Sequence, residues 1–210
     1  MSAFHTKSVQ LQDQIRRALR SGRYLPGDRI DPASLAAEFD TSLMPVRLAL
    51  ERLVGKGLLE HHPRGGAYLP LPTEVELRDA YDWMKRLLLM ACDIGIANRL
   101  PERVRQPDIA SANEDPVEMT WQLFDAIGHA TAHTFVHEAI GRMNGRLAPI
   151  RRAKRGLIDG AFEEIVELNR HWQQRDRPSL KAALRHYHER RKQLVPCIVV
   201  TLKQRHERLQ

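Results

Sequence analysis

Apolar residues recur at helical spacing through most of this chain, and proline, glycine and small polar residues punctuate the repeats. Over residues 8–21, Val9, Ile15, Ala18 and Leu19 fall near one helical face, with Gly22 as the stop. Leu25-Pro26-Gly27-Asp28 reads as a turn and Arg29-Ile30 as a short strand. Asp31-Pro32 opens a second helix, with Asp as N-cap and Pro at N1, and turns Leu35, Ala36 and Phe39 inward. After a tight turn at Asp40-Thr41, Ser42 caps a third helix whose inward residues are Val46, Ala49, Leu50 and Leu53, and Gly57 ends it. Two strands, 58–62 and 67–69, then flank Pro63-Arg64-Gly65-Gly66 as a hairpin.

Pro70-Leu71-Pro72 is a stiff linker and the predicted domain boundary. Beyond it the pattern is helical throughout: 73–99, 117–133, 137–155, 161–175, 177–194 and 197–208, with Pro196 breaking the last two apart. Residues 101–116 read as a loop or a short irregular helix. The predicted fold is mainly α, a winged helix-turn-helix over 1–72 followed by an all-α bundle over 73–210. No internal repeat or low-complexity tract is evident.

Composition adds little to this outline. With 210 residues and 42% hydrophobic content the chain can bury real cores, and 6% aromatics favour helix over sheet. The net charge of +7 fits a polyanionic partner. That excess is spread over both halves, so only the placement of particular arginines is informative. Cys92 and Cys197 sit in apolar helical patterns and read as buried reduced thiols. There is no signal-peptide-like start, and the longest apolar run, 87–97, contains Asp93 and is too short for a bilayer. The expectation is a cytoplasmic protein with no membrane partner.

The chemistry concentrates between residues 42 and 66. A recognition helix places its N-terminal residues on base edges and its other face on the core. Ser42, Leu43, Met44, Pro45 and Arg47 are the outward positions here, and Arg47 is the long cation among them. Arginine to guanine N7 and O6 is the commonest specific contact. Arg64, Gly65 and Gly66 form the wing tip, where glycine lets backbone approach a sugar-phosphate chain and Arg64 reaches the minor groove. Arg16, Arg17, Arg20, Arg23 and Arg29 are further candidates for phosphate contacts.

Residues 8–70 resemble the winged helix-turn-helix of the GntR transcriptional regulators, through Gly22, Pro26-Gly27, Leu35-Ala36, Ser42, Pro45-Val46-Arg47, Ala49-Leu50, Leu53, Gly57-Leu58 and Arg64-Gly65. The family usually has Arg after the Ser and Glu after the Val-Arg pair. Leu43 and Leu48 stand there in this chain. The resemblance implies double-stranded DNA as partner, a homodimer on a near-palindromic operator and, most often, repression.

The second domain resembles the FCD-type effector domain of the FadR-like branch. Residues 77–98, the stretch Phe124-Asp125-Ala126-Ile127-Gly128-His129 and residues 175–185 carry that likeness. It implies a small-molecule effector, such as an organic acid, sensed in many members through a metal. Asp125 and His129 share a helical face and suit a divalent Zn, Ni, Mn or Fe ion, with His133 and His137 continuing the row. Aligned on Asp176, the two further ligand positions fall on Ile165 and Tyr187, flanked by His186 and His188, with His171 beyond Ile165. Without a metal, Asp125, His129, Tyr187 and an arginine from Arg151, Arg152 or Arg155, with Arg152 favoured, are the expected effector contacts. The alternative is a metal-dependent enzyme in the bundle. The chain carries no nucleophile elbow, HExxH or phosphate loop in its support. A third class, an architectural DNA protein without ligand, fits the same N-terminal residues.

Overall fold

The computed structural model describes residues 3–95, 115–154 and 156–208. Most of the loop expected over 101–116, the far end of the helix expected to reach residue 99, and Arg155 lie outside the described residues.

The N-terminal unit consists of α1 (Ala3–Ser21), β1 (Arg29–Ile30), α2 (Pro32–Glu38), α3 (Leu43–Gly55), β2 (Glu60–His61) and β3 (Ala67–Tyr68). Asp31 caps α2 by accepting the Ser34 backbone N–H at 2.9 Å, with Pro32 opening the helix. Asp40 then takes a left-handed backbone, φ 45°, and the chain turns into α3. Ser42 holds the N-cap position with extended backbone, yet its hydroxyl makes no capping bond, contrary to expectation. Strand β3 is central, antiparallel to β1 on one side and β2 on the other, with Tyr68 opposite both Arg29 and Glu60.

One hydrophobic cluster unites Leu11, Ile15 and Leu19 of α1 with Leu35, Val46, Leu50, Leu53, Leu58 and Leu69. Val9, expected inward, stands exposed. The buried face of α1 is set by Leu11 instead, because that residue and Ile15 lie one helical turn apart.

The remaining described chain forms α4 (Glu74–Ile94), α5 (Pro116–His129), α6 (Thr134–Ala153), α7 (Ala161–Gln173), α8 (Arg177–Gln193) and α9 (Val195–Glu207). Helix α4 begins with a full capping box, Thr73 and Glu76 satisfying each other's backbone N–H. It runs against α5, α6, α8 and α9. Asp115 and Asp176 cap α5 and α8, each followed within the first turn by a proline. Pro196 lies in the first turn of α9, so helical structure resumes at once after α8. Pro149 sits inside α6. A second hydrophobic cluster, including Leu77, Tyr81, Met84, Leu88, Phe124, Ile165, Leu184 and Leu202, fills this bundle. Cys92 lies in it, where burial pushes the thiol up to about 11. Cys197 is exposed, not buried. It sits on the outer side of α9, whose inward residues are Val195, Ile198, Val199 and Leu202.

The two units meet along α1 and α6. Arg20 pairs with Glu118 at 3.1 Å and lies 5.0 Å over the Trp121 ring. Arg152 donates to the Arg20 carbonyl at 2.8 Å and pairs with Asp115 at 2.6 Å. Leu58 seats on Gly145, where a Cβ would lie 3.3 Å from its methyl.

Candidate nucleic-acid interface and helical-domain sites

Helix α3 and the wing converge. Leu43, Arg47, Leu50 and Glu51 of the helix and Arg64, Gly65 and Gly66 of the hairpin tip line one groove of about 440 Å³, with Arg29 and His62. Exposed Arg47 and Arg64 therefore flank a common concavity. No acidic residue lies in the first turn of α3, so the positive end of its dipole is not neutralised from within the helix.

The outward face differs from the one predicted. Pro45 is buried beside Val46, and Leu43 packs partly against the domain core. Ser42, Met44, Arg47 and Leu48 are the residues that face solvent at this end, Met44 and Leu48 being 60% and 43% exposed. The physical reason is helical phase. Positions 46, 49, 50 and 53 fix the inner stripe, and residue 45 falls on its edge.

The wing is held from both sides. His62 N–H donates to the Gly66 carbonyl, Gly65 N–H to the His62 carbonyl, and Arg64 N–H to His62 Nδ1. The Arg29 guanidinium donates to the Arg64 and Gly65 carbonyls at 3.2 and 3.3 Å. Arg29 thus positions the wing tip, a role its sequence context did not signal. Gly65 and Gly66 both have positive φ, and a Cβ on Gly66 would stand 2.7 Å from the Ile30 carbonyl oxygen. Among the other arginines proposed for phosphate, Arg20 belongs to the domain junction and Arg23 is paired with Glu38. Arg16 lies 3.9 Å from Asp13, and Arg17 is exposed.

In the helical domain only part of the predicted set gathers, namely Asp125, His129 and His137. Asp125 bonds His137 Nε2 at 2.9 Å, and the His129 and His137 rings meet edge-on at 5.5 Å. His133 does not continue the row, because α5 ends at His129 and His133 is the N-cap of α6. Ile165 is wholly buried in the apolar core, and His186 is exposed. His171 lies near Glu167 and Asp176. Among the described residues no three His, Cys, Asp or Glu side chains come together as a metal-holding group. Arg152, expected at the effector, points to Arg20 and Asp115 at the junction instead. Tyr187 is buried against Phe124, with the Arg191 guanidinium 3.2 Å over its ring.

Sequence reasoning named Tyr187 and Arg151 but missed the buried polar centre they share with Lys154 and Arg191. Arg151, Lys154 and Arg191 are 4%, 6% and 3% exposed. Arg151 donates to Asn144 Oδ1 at 2.7 Å, Lys154 to the Tyr81 hydroxyl at 3.1 Å, and Arg191 lies 2.7 Å from Glu164. His188 donates Nδ1–H to the Leu184 carbonyl, and burial drives its pKa down to about 3. The run Arg-Arg-Ala-Lys at 151–154 looks like a solvated face in the sequence. Only the packing of α6 against α4 and α5 reveals which cations are inside.

Residues 7–69 match the family described as "Bacterial regulatory proteins, gntR family". A curated relative, the "Uncharacterized HTH-type transcriptional regulator YdhC" of Bacillus subtilis (strain 168), is 30% identical over 73 residues, 35% of this chain and 33% of the relative. The match thus spans about a third of that relative's length. Among solved structures, a putative transcriptional regulator GntR from Rhodococcus sp. RHA1 superposes with a TM-score of 0.76 at 16% identity, over 90% of this chain and 97% of that one. "E. coli McbR/YncC" superposes with a TM-score of 0.69 at 21% identity, over 93% and 98%. At these identities the structures establish a shared fold across both units.

Proposed function

We propose that this chain, whose residues 7–69 form a domain of the gntR family of bacterial regulatory proteins, is a homodimeric, ligand-responsive transcriptional regulator, acting as a repressor. Helix α3 enters the major groove by its N-terminal end, and the wing lies along the adjoining backbone. The observation that carries this is the single groove bearing Arg47 from the helix and Arg64 from the wing. Arg47 reads a guanine edge, and Arg64 meets phosphate or minor groove. Met44 and Leu48, exposed on the same tip, suit thymine methyl groups, the apolar feature of the major groove.

The helical unit supplies the dimer and the sensor. Trp83, Met90 and Ile94 are exposed along one stripe of α4, away from its buried face. A second copy burying that stripe sets the spacing of two winged units on a near-palindromic site. An effector acts by favouring one dimer geometry over the other. Among the described residues no group of three metal-ligating side chains favours a metalloenzyme, and no helix is long and apolar enough to cross a membrane.

Selection of bound duplexes from a random pool tests the reading. The expected product is a motif of two inverted half-sites, enriched by a dimer in sedimentation. Retention of all duplexes alike, or of none, contradicts it.

A further inference from the structure

Helix α1 ends on a glycine stop. Gly22 takes φ 86°, its N–H donates to the Leu19 carbonyl, and the Arg23 N–H donates to the Ala18 carbonyl. Those bonds satisfy two of the last carbonyls of the helix but not that of Arg20. Arg152, from α6 of the other unit, donates its Nε–H to the Arg20 carbonyl at 2.8 Å. The same guanidinium pairs with one carboxylate oxygen of Asp115 at 2.6 Å, while the other oxygen accepts the Val117 N–H and caps α5. One arginine therefore ties the negative end of α1 to the acid at the start of α5. Its stem lies on Gly22, where a Cβ would come within 3.1 Å of it.

Arg20 completes the joint from the other side. Its guanidinium pairs with Glu118 in the first turn of α5 and covers the Trp121 ring. Asn144 of α6 donates to the Trp121 carbonyl at 3.0 Å, so α5 and α6 are fixed to each other where α1 lands. The Arg152 and Asp115 side chains are 12% and 19% exposed, which shields the pair from the screening that weakens surface bridges. On the side of the sheet the units stand apart over a cleft of about 580 Å³, walled by Tyr68, Leu71, Arg146 and Ile150. Leu58 on Gly145 and His206 beside Gly27 are contacts between the units there. Van der Waals contact tolerates sliding, whereas a guanidinium fork fixes direction.

We propose that Arg152 is a positioning residue for DNA recognition: it locks the winged unit in one orientation on the bundle and so sets the half-site spacing that the dimer accepts. The inference rests on the homodimeric reading of the proposed function. A dimer selects a spacing only when each recognition helix is held in a fixed place relative to the two-fold axis. In that reading the bundle supplies the axis. Helix α1 carries α3 with it, because the two share one hydrophobic core. The Arg152 joint lies between the axis and α1. Without its fork, the winged unit still reads a half-site, but it pivots over the cleft.

Two variants of the full chain test this. Arg152→Met keeps a stem on Gly22 and removes the fork, while Asp115→Asn keeps an N-cap and removes the charge. Binding is measured to the selected duplex, to the same half-sites set one or two base pairs closer or farther apart, and to a single half-site. Each variant should bind the single half-site within about twofold of the native chain, since α3 and the wing are untouched. On the selected duplex each should lose about tenfold, with a smaller loss at the shifted spacings, so the preference between spacings narrows. The double variant should lose no more than Arg152→Met alone, because both substitutions break the same pair. A spacing preference as sharp as the native one in Arg152→Met overturns the proposal. So does an equal loss on half-site and full site in both variants, the mark of a merely structural role. Spin labels on the exposed Cys197 and on Lys56→Cys, at the exposed end of α3, report the joint without DNA, the buried Cys92 being unreactive. In chains diluted with unlabelled protein, the distance between the labels should be narrowly distributed natively and broaden in Arg152→Met. A distribution that stays narrow overturns the lock, whatever the duplexes show. A distribution that broadens, in a protein that enriches no paired half-sites, upholds the lock and contradicts only the dimeric regulator.

Discussion

At the scale of single residues, two apolar side chains on a solvent-facing helix tip ask for an explanation. Met44 and Leu48 gain nothing from water, yet both stand exposed on α3 near Arg47, outside the lining of the wing groove. Contact with thymine methyls accounts for them, each buried methyl being worth about 0.8 kcal/mol, or roughly fourfold in affinity. Replacing thymine by uracil in a selected operator should therefore weaken binding by about that factor at each contacted position. Equal affinity for both duplexes would remove Met44 and Leu48 from the readout. His188 makes a different residue-scale prediction. It is neutral in the fold, with a pKa near 3, and charges at about 6.5 once unfolded. The unfolded state therefore binds the extra proton between those values. Stability from this group is complete above about pH 6.5 and falls as pH drops toward 3. Denaturant midpoints against pH should show that slope, and His188→Met should flatten it. An unchanged slope would place the acid sensitivity elsewhere.

At the scale of elements, the wing is the most exacting piece. Gly65 and Gly66 share a positive φ, so any side chain costs about 1–2 kcal/mol at either position. Gly66 also lies against the Ile30 carbonyl and Pro32, whereas a Cβ on Gly65 meets nothing. Gly66→Ala should thus destabilise the N-terminal unit more than Gly65→Ala, measured by chemical denaturation. Equal costs would mean that the β1–wing contact is loose. Most elements were legible because their ends are written locally: Asp31-Pro32, Thr73 with Glu76, and Asp176 with Pro178 each carry a cap and a helix start within four residues. Phase was less legible. The burial of Pro45 and the exposure of Val9 depend on which neighbour each helix meets, and a short amphipathic stripe tolerates a shift of one position.

At the scale of the molecule, the contacts that join the two units are those the sequence hides. Arg20 and Arg152 lie 132 positions apart, and nothing local distinguishes them from solvated arginines. The same holds for the buried cations of α6 and α8, whose enclosure depends on α5. Packing also decided the histidine set: a chain reversal brings His137 to Asp125 and His129, while Ile165 occupies a position the resemblance gave to a ligand. The DNA-facing residues were found because a recognition helix and a wing tip lie within a short, continuous stretch of chain. Salt-dependent binding of the selected duplex and of random DNA, by the native chain and by Arg47→Ala and Arg64→Ala, tests most directly whether helix tip and wing tip face one duplex. Arg47→Ala should lose about 1–3 kcal/mol on the selected site and little on random DNA, while Arg64→Ala weakens both and flattens the salt slope by about one unit. Unchanged binding by either variant would contradict a shared DNA-facing surface.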